Sequence, residues 1–306
     1  MDVLTEARFT NVRTLTIEDE FLGQEPKILA ILYPNVRELR LLGRETTYDW
    51  EDVERIRQDN ISNPGLDGID GPHAWTSLDI LHSAIEKVYA MALSCRVELW
   101  EGASCTVVSQ IRAFHVVLRD IRPVYLCMSI AVDRFEPSQF TDILISDTVT
   151  HLSVTFVLSK CCGKSAFSLE DFLDAVQSYI SKLPLKVLAI NYDFDVTDDA
   201  PAAVYFGASC LAKTRFRFTN GDVLRHEGHI QRVLCSLDTA SHATCFAEEC
   251  PTLEQVIIRF RMRQQTDSYW KITRDAEHME VLQQSQHQAV LALPDTAFSR
   301  HIGLRF

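Results

Sequence analysis

Apolar residues recur along this chain in short, strand-length runs separated by polar or helical stretches. Asn11-Val12-Arg13-Thr14-Leu15-Thr16-Ile17 alternates polar and apolar positions. Asn35-Val36-Arg37-Glu38-Leu39-Arg40-Leu41 repeats it as N-V-R-x-L-x-[IL], with the leucines 24 residues apart. The fullest form is Leu183-Pro184-Leu185-Lys186-Val187-Leu188-Ala189-Ile190-Asn191, where Leu185, Leu188 and Ile190 spell the L-x-x-L-x-L rhythm of a leucine-rich turn. Weaker copies stand at 96–100, 123–128, 149–154, 214–218 and 253–258, which gives eight candidate rungs. Their uneven spacing predicts returns of variable length, some of them full helices. The pattern predicts helices over 77–94, from Ser168 to about 180 and within 224–246. The first turn of the second carries a Ser-x-x-acid cap, Ser168 to Asp171. A further strand is expected at 269–273, a helix or cap at 276–293 and an edge strand at 301–306.

One such turn cannot bury its apolar side alone, so turns must stack. The predicted fold class is therefore α/β: a leucine-rich-repeat solenoid with a curved parallel sheet and helices or irregular returns on its convex side. It spans 1–262, with an inserted acidic, Gly/Pro-rich loop at about 44–74. A capping strand/helix segment follows at 263–306. Leu15, Leu39, Leu126, Leu152, Leu188, Phe216 and Val256 are expected to share the core. Strand alternation then sends Thr14, Thr16, Glu38, Arg40, Glu98, Trp100, Tyr125, Cys127, His151, Ser153, Val187, Ala189, Asn191, Arg215, Arg217, Gln255, Ile257 and Arg259 to the opposite, concave wall. A one-residue slip in register would exchange the two sets. The loop at 44–74 reads either as a solvated insertion, helical in its first half, or as a flap over that wall.

The ordering resembles the F-box-type leucine-rich-repeat proteins of mushroom-forming fungi. The similarity lies in Tyr33-Pro34-Asn35-Val36-Arg37-Glu38-Leu39-Arg40-Leu41, Trp75-Thr76-Ser77-Leu78-Asp79, Leu183-Pro184-Leu185-Lys186-Val187-Leu188 and Cys250-Pro251-Thr252-Leu253-Glu254-Gln255-Val256, and covers about residues 9 to 262. The resemblance implies a substrate receptor whose repeats hold a protein for ubiquitin transfer while an F-box docks on a Skp-type adaptor. Too few residues precede Phe9 for a three-helix F-box. A Skp-type adaptor is thus a partner only if an F-box is missing from this sequence, and adaptor docking transfers to no residue here.

Composition narrows the reading. The formal charge of −12 argues against general nucleic-acid binding, and no run of 18 apolar residues predicts a membrane span. Met1-Asp2-Val3-Leu4-Thr5-Glu6 has neither the basic nor the apolar part of a secretory leader. Nine scattered cysteines without a CxxC pair then fit a reduced, cytoplasmic or nuclear setting. Within this acidic chain Arg215, Arg217, Arg259 and Arg261 are expected on two neighbouring strands. They either pair with Asp193 and Asp195 or form a basic patch for an acidic or phosphorylated segment. Trp100 and Tyr125, on adjacent rungs, are either exposed anchors or buried under the 44–74 loop.

Motifs for chemistry fail on spacing. His226-Glu227-Gly228-His229 places its histidines at i and i+3, not the i and i+4 of a zinc-protease helix. The set His226, His229, Cys235, His242, Cys245 and Cys250 lacks paired spacing. Gly163-Lys164-Ser165 has Leu158 where a phosphate loop needs glycine. Asp193, Asp195, Asp198 and Asp199 lack the glycine and closing glutamate of a calcium loop. No catalytic, cofactor or metal residue is therefore assigned. The expected function is non-enzymatic recognition of a protein by Trp100, Tyr125, His151, Asn191, Arg215, Arg217, Arg259 and Arg261. The alternative is a structural or assembly protein with no link to ubiquitin.

Overall fold

The computed structural model describes residues 8–18, 26–42, 49–62, 75–135, 139, 143, 146–158, 168–193, 233–261, 267–275, 278–292 and 298. They divide into two compact units. The first holds the described residues up to Ser104 together with Ser109–Val124, and the second holds Cys105–Val108 and those from Tyr125 onward. Strands alternate with helices, and the fold is mixed α/β.

In the first unit the order is β1 (Thr14–Glu18), α1 (Pro26–Leu32), β2 (Glu38–Leu42), α2 (Trp50–Ser62), β3 (Ser77–His82), α3 (Ile85–Ala90), β4 (Arg96–Cys105) and α4 (Ser109–Ile121). Each strand lies parallel beside the next in chain order. The repeat frame sets the register: Leu15 opposes Leu39, Leu39 opposes Leu81, and Leu81 opposes Trp100. Leu39, Leu81 and Trp100 are fully buried. The Trp100 ring packs on Phe114 of α4 at 5.5 Å, and its Nε1–H donates to Ser83 O at 3.0 Å.

Two expectations change here. The apolar spacing over 77–94 predicts one helix, but its first third forms β3 and only 85–90 is helical. Leu78 and Leu81 continue the L-x-x-L frame, and pairing on both sides outweighs the helical period. Trp100, expected on the concave wall, points into the core instead. Val97-Glu98-Leu99-Trp100 fits both x-L-x-L and L-x-x-L, and the pairing Leu78 to Val97 selects the second. The larger side chain thereby enters the helix-covered side, where its N–H finds an acceptor. Gly102 follows at φ +85°, a left-handed turn of backbone beside Ser83 that a side chain would strain.

The first half of the 44–74 stretch is not a solvated insertion. It forms α2, which buries Val53, Arg57 and Asn60. Residues 63–74 lie outside the described part. Arg57 Nη1 donates to Tyr89 O and Nη2 to Asp120 Oδ2, both at 2.7 Å, while its guanidinium lies 4.4 Å from the Tyr89 ring centroid. Asn60 Nδ2 donates to Ala90 O at 2.8 Å, and Tyr89 OH to Glu54 at 2.5 Å. The helix layer is thus tied by polar bonds at its buried seam.

The second unit runs β5 (Tyr125–Ala131), a 3₁₀ turn (Val132–Arg134), β6 (His151–Val157), α5 (Leu169–Ile180), β7 (Val187–Asp193), α6 (Thr239–Glu249), β8 (Gln255–Arg261), β9 (Ser268–Arg274), β10 (Met279–Gln284) and α7 (Gln286–Ala292). Strands β5 to β8 are parallel and in chain order. Their helix-facing residues form continuous columns. Leu126, Leu152, Leu188 and Val256 share one level; Met128, Val154, Ile190 and Ile258 the next; Ile130, Phe156, Tyr192 and Phe260 the last. Phe156, Tyr192 and Phe260 stack at 6.0 and 5.5 Å, and Phe172 of α5 meets Phe156 edge-on at 5.0 Å. The expected sharing of one core by Leu126, Leu152, Leu188 and Val256 is met. Ser168 caps α5 as its sequence predicts, its Oγ accepting from Asp171 N at 3.1 Å.

The C-terminal part departs from the parallel pattern. β9 pairs antiparallel with β8 and β10 antiparallel with β9. The helix expected over 276–293 is instead β10 followed by the short α7. Met279-Glu280-Val281-Leu282 alternates at strand period, and pairing with β9 along its whole length decides the conformation. Among the described residues the neighbours of β8 are β7 and β9. Residues 214–218 themselves lie outside the described part.

Two substitutions test these contacts. Arg57→Ala should cost about 3 kcal/mol, because it removes a buried guanidinium that bonds Tyr89 O and the half-buried Asp120 carboxylate, leaving Asp120 only the exposed Arg119. A denaturant midpoint for the first unit reads this loss. Tyr192 is fully buried, and its hydroxyl has no hydrogen-bond partner among the described residues. Tyr192→Phe should therefore leave stability unchanged or raise it by up to about 1 kcal/mol, whereas a lost hydrogen bond would lower the midpoint.

Candidate functional site

A strand exposes alternate residues to its two sides, so the columns that meet the helices define a second set on the opposite face. In the first unit that set is mainly polar, with Ile80 and the buried Leu99 as its apolar members. Thr14, Glu38 and Ile80 share one level, and Thr16, Arg40 and His82 the next. Glu101 pairs in register with His82. The charges satisfy one another: Arg40 Nε donates to Glu38 at 2.6 Å, Thr14 Oγ1 to the same carboxylate at 3.2 Å, and His82 Nδ1 lies 3.4 Å from Glu101. Pairs this exposed hold orientation more than they stabilise.

In the second unit the opposite face is built in rows. Tyr125, His151, Val187, Gln255 and Lys271 make the first; Cys127, Ser153, Ala189, Ile257 and Tyr269 the second; Ser129, Thr155, Asn191 and Arg259 the third. Of the expected site residues, Tyr125, His151, Asn191 and Arg259 thus lie on one face. Arg261 lies in β8 with its backbone in register with Asp193 of β7. Trp100 belongs to the core of the first unit, and Arg215 and Arg217 fall outside the described residues.

The rows differ in access. His151, Val187 and Gln255 of the first row are buried, as are Cys127, Ser153, Ala189, Ile257 and Tyr269 of the second. The first row is covered by the chain's own C-terminal part. Tyr125 and His151 stand with ring centroids 4.5 Å apart, and Phe298 sits 5.5 Å from one and 5.6 Å from the other. Gln255 Nε2 donates to Ala289 O of α7 at 3.2 Å. The cover over Tyr125 thus includes Phe298, which the sequence reading missed. Its only sequence signal is an aromatic residue in a polar stretch beyond the last repeat.

The third row keeps partial exposure at Ser129, Asn191 and Arg259. Asn191 Nδ2 lies 3.3 Å from Thr155 Oγ1 and 3.4 Å from Ser153 Oγ, a hydroxyl-lined amide. Arg259 Nε faces Asp267 Oδ2 at 3.5 Å, and Tyr269 OH donates to that carboxylate at 3.2 Å. The arginine is therefore already matched to a carboxylate, which displays the chemistry the position accepts.

Of the other candidates, Cys250 is buried with its thiol against Leu183 O at 3.3 Å, and His242 packs edge-on against Phe246 at 5.3 Å. Both serve the return after α6. His226, His229, Gly163, Lys164, Ser165, Asp195, Asp198 and Asp199 lie outside the described residues. Among the described residues no group of three His, Cys, Asp or Glu could hold a metal ion, and no helix is long and apolar enough to cross a membrane. The chain matches no protein-family model, no curated protein and no solved structure.

His151 makes the site sensitive to acid. Burial, with a smaller push from Lys186, lowers its pKa from 6.5 to about 4. The neutral ring is the native form, so its contribution is complete above pH 6.5 and is lost as pH falls toward 4. The difference in stability between the parent and His151→Phe should fall across that window by up to about 3 kcal/mol. Melting curves at pH 7.5, 5.5 and 4.5 check this, and parallel profiles for the two proteins would rule it out.

Proposed function

We propose that this protein is a non-enzymatic recognition scaffold that holds a protein partner on the strand face opposite its helices. Parallel strands are normally buried on both faces and read as apolar throughout. Here one side of each parallel strand packs on helices, while the other mixes apolar residues such as Ile80, Val187, Ala189 and Ile257 with Thr, Ser, Asn, Glu and Arg. The observation that carries the proposal is the half-open row Ser129, Thr155, Asn191 and Arg259, a polar shelf fixed by four paired strands. Rigid backbone under adaptable side chains suits binding.

The partner chemistry follows from Arg259. Asp267, 40% exposed, occupies its guanidinium from the same chain. An acidic or phosphorylated side chain of a partner can take that place with a stronger, bidentate contact. The stacked L-x-x-L-x-L columns support the leucine-rich-repeat reading of the chain, with a curved sheet as its natural consequence. In that reading the partner is a substrate presented for ubiquitin transfer. A Skp-type adaptor would engage through an F-box carried outside the stretch from Phe9 to Arg274.

Binding to an array of acidic and phosphorylated peptides tests the proposal. Arg259→Glu should weaken capture at least tenfold, about 1.4 kcal/mol, in a chain that circular dichroism shows still folded, although its melting temperature falls because the new carboxylate faces Asp267. Equal binding by the parent and the variant would remove Arg259 from the site, and no binding by either would remove the acidic partner. Co-purification with a Skp-type adaptor separately tests the ubiquitin link.

A further inference from the structure

β1 stands first in the strand order and pairs only with β2 among the described residues. The ladder fixes which of its groups remain on the other side. Arg13 O accepts from Glu38 N at 3.0 Å. Main-chain groups turn to alternate sides along a strand, so Leu15 and Ile17 also direct theirs to β2. Thr14, Thr16 and Glu18 therefore aim their N–H and C=O groups away from β2, and all three side chains are exposed. Such an edge is a template for another strand. The apolar side chains ask for the same neighbour. Leu39 has a leucine at its level on both sides, Leu15 and Leu81, and is 0% exposed. Leu15 has one on a single side among the described residues, and both it and Ile17 stay only half-buried.

We propose that this edge pairs with the β1 edge of a second copy of the chain, the two strands running antiparallel about a two-fold axis at Thr16. In that register the strand is complementary to itself. Thr14 meets Glu18 of the partner subunit, Leu15 meets Ile17 of the partner subunit, and Thr16 meets its own copy. The outward main-chain groups then coincide, and Thr14, Thr16 and Glu18 make hydrogen-bonded pairs with about six bonds in all. Leu15 and Ile17 fall in the pairs between, where side chains approach most closely. With the axis perpendicular to the sheet, those apolar pairs lie on the helix side of both copies and cover the two residues left half-buried. Glu18 faces a threonine and not a second carboxylate. Centring on Leu15 instead sets Ile17 against Arg13 and Glu18 against Val12, while centring on Ile17 carries Thr14 and Leu15 past the partner's strand. Centring between two residues sets outward groups against inward ones.

The contact is isologous, so a pair of copies uses up both β1 edges and association through them stops at two. One short strand a side is small for a protein interface, which places the dimer among weak, transient contacts. Each copy carries a formal charge of −12, and the pairing surface itself brings no opposite charges together. Salt therefore strengthens this association by screening the repulsion between copies, the reverse of its effect on a charge-driven contact.

Sedimentation velocity of the full chain, from micromolar to millimolar concentration, should show a monomer–dimer equilibrium that tightens with added salt. Thr16→Pro removes the central outward N–H, a change that an edge strand tolerates, and should weaken the dimer at least about tenfold with the circular dichroism spectrum unchanged. Cysteine cross-linking reads the register and decides the matter even where the proline variant fails to fold. The two Thr16 Cα atoms stand about 5.5 Å apart in a hydrogen-bonded pair, which a disulfide spans. The two Thr14 Cα atoms stand about 14 Å apart. Under mild oxidation Thr16→Cys should form covalent dimer well above the level of the parent, whose nine cysteines set the background, and Thr14→Cys should stay at that background. A parent that remains monomeric throughout the range, a dimer that a folded Thr16→Pro leaves unchanged, or Thr14→Cys cross-linking as readily as Thr16→Cys overturns the proposal.

Discussion

Sideways burial between neighbouring strands governs this molecule. Leu126, Leu152, Leu188 and Val256 are each fully buried, and each owes that burial to the residue at the same level on the next strand. None can be buried by its own turn, because a single strand and its return present too little surface. The stack must form together, so stability here is shared between neighbours rather than held within any one repeat. Returns of different length are tolerated, since only the strand level has to match. Leu188 and Val256, 68 residues apart, pair as closely as Leu126 and Leu152, 26 residues apart.

Matching the levels also fixes the opposite side of the sheet. Once Leu188 and Ile190 face the helices, Ala189 and Asn191 must face away, and the same holds in each strand beside them. The second face is thus a by-product of the core. Its backbone is held by neighbours on both sides, while its side chains are free to be polar. In the second unit the chain uses part of this face for itself. Phe298 and α7 cover the first row and leave Asn191 and Arg259 partly open.

Much of this was legible from spacing alone. The strand levels of Leu15, Leu39, Leu126, Leu152, Leu188 and Val256, the cap at Ser168, and the side taken by Tyr125, His151, Asn191 and Arg259 all follow from period-two alternation and the L-x-x-L-x-L frame. These are local properties, and each residue's choice depends on others within a few positions. Where the local signal supports two answers, tertiary contacts decide. Leu99 and Trp100 both suit a buried level, and the neighbouring Leu78 and Leu81 choose Trp100. The leucine period over 77–94 suits helix or strand, and flanking strands choose strand for its first part.

By itself, then, the sequence determined that short apolar runs alternate with helices and stack as parallel strands with one polar side. It did so because burial of a periodic face is written in residue type. The tertiary structure alone decided that β9 and β10 turn back antiparallel, that Arg57 joins α2 to Asp120 63 residues away, and that Phe298 returns to Tyr125 and His151. Those contacts join residues far apart in the chain. A single side chain finding a distant seat leaves no period in the sequence from which to foresee it.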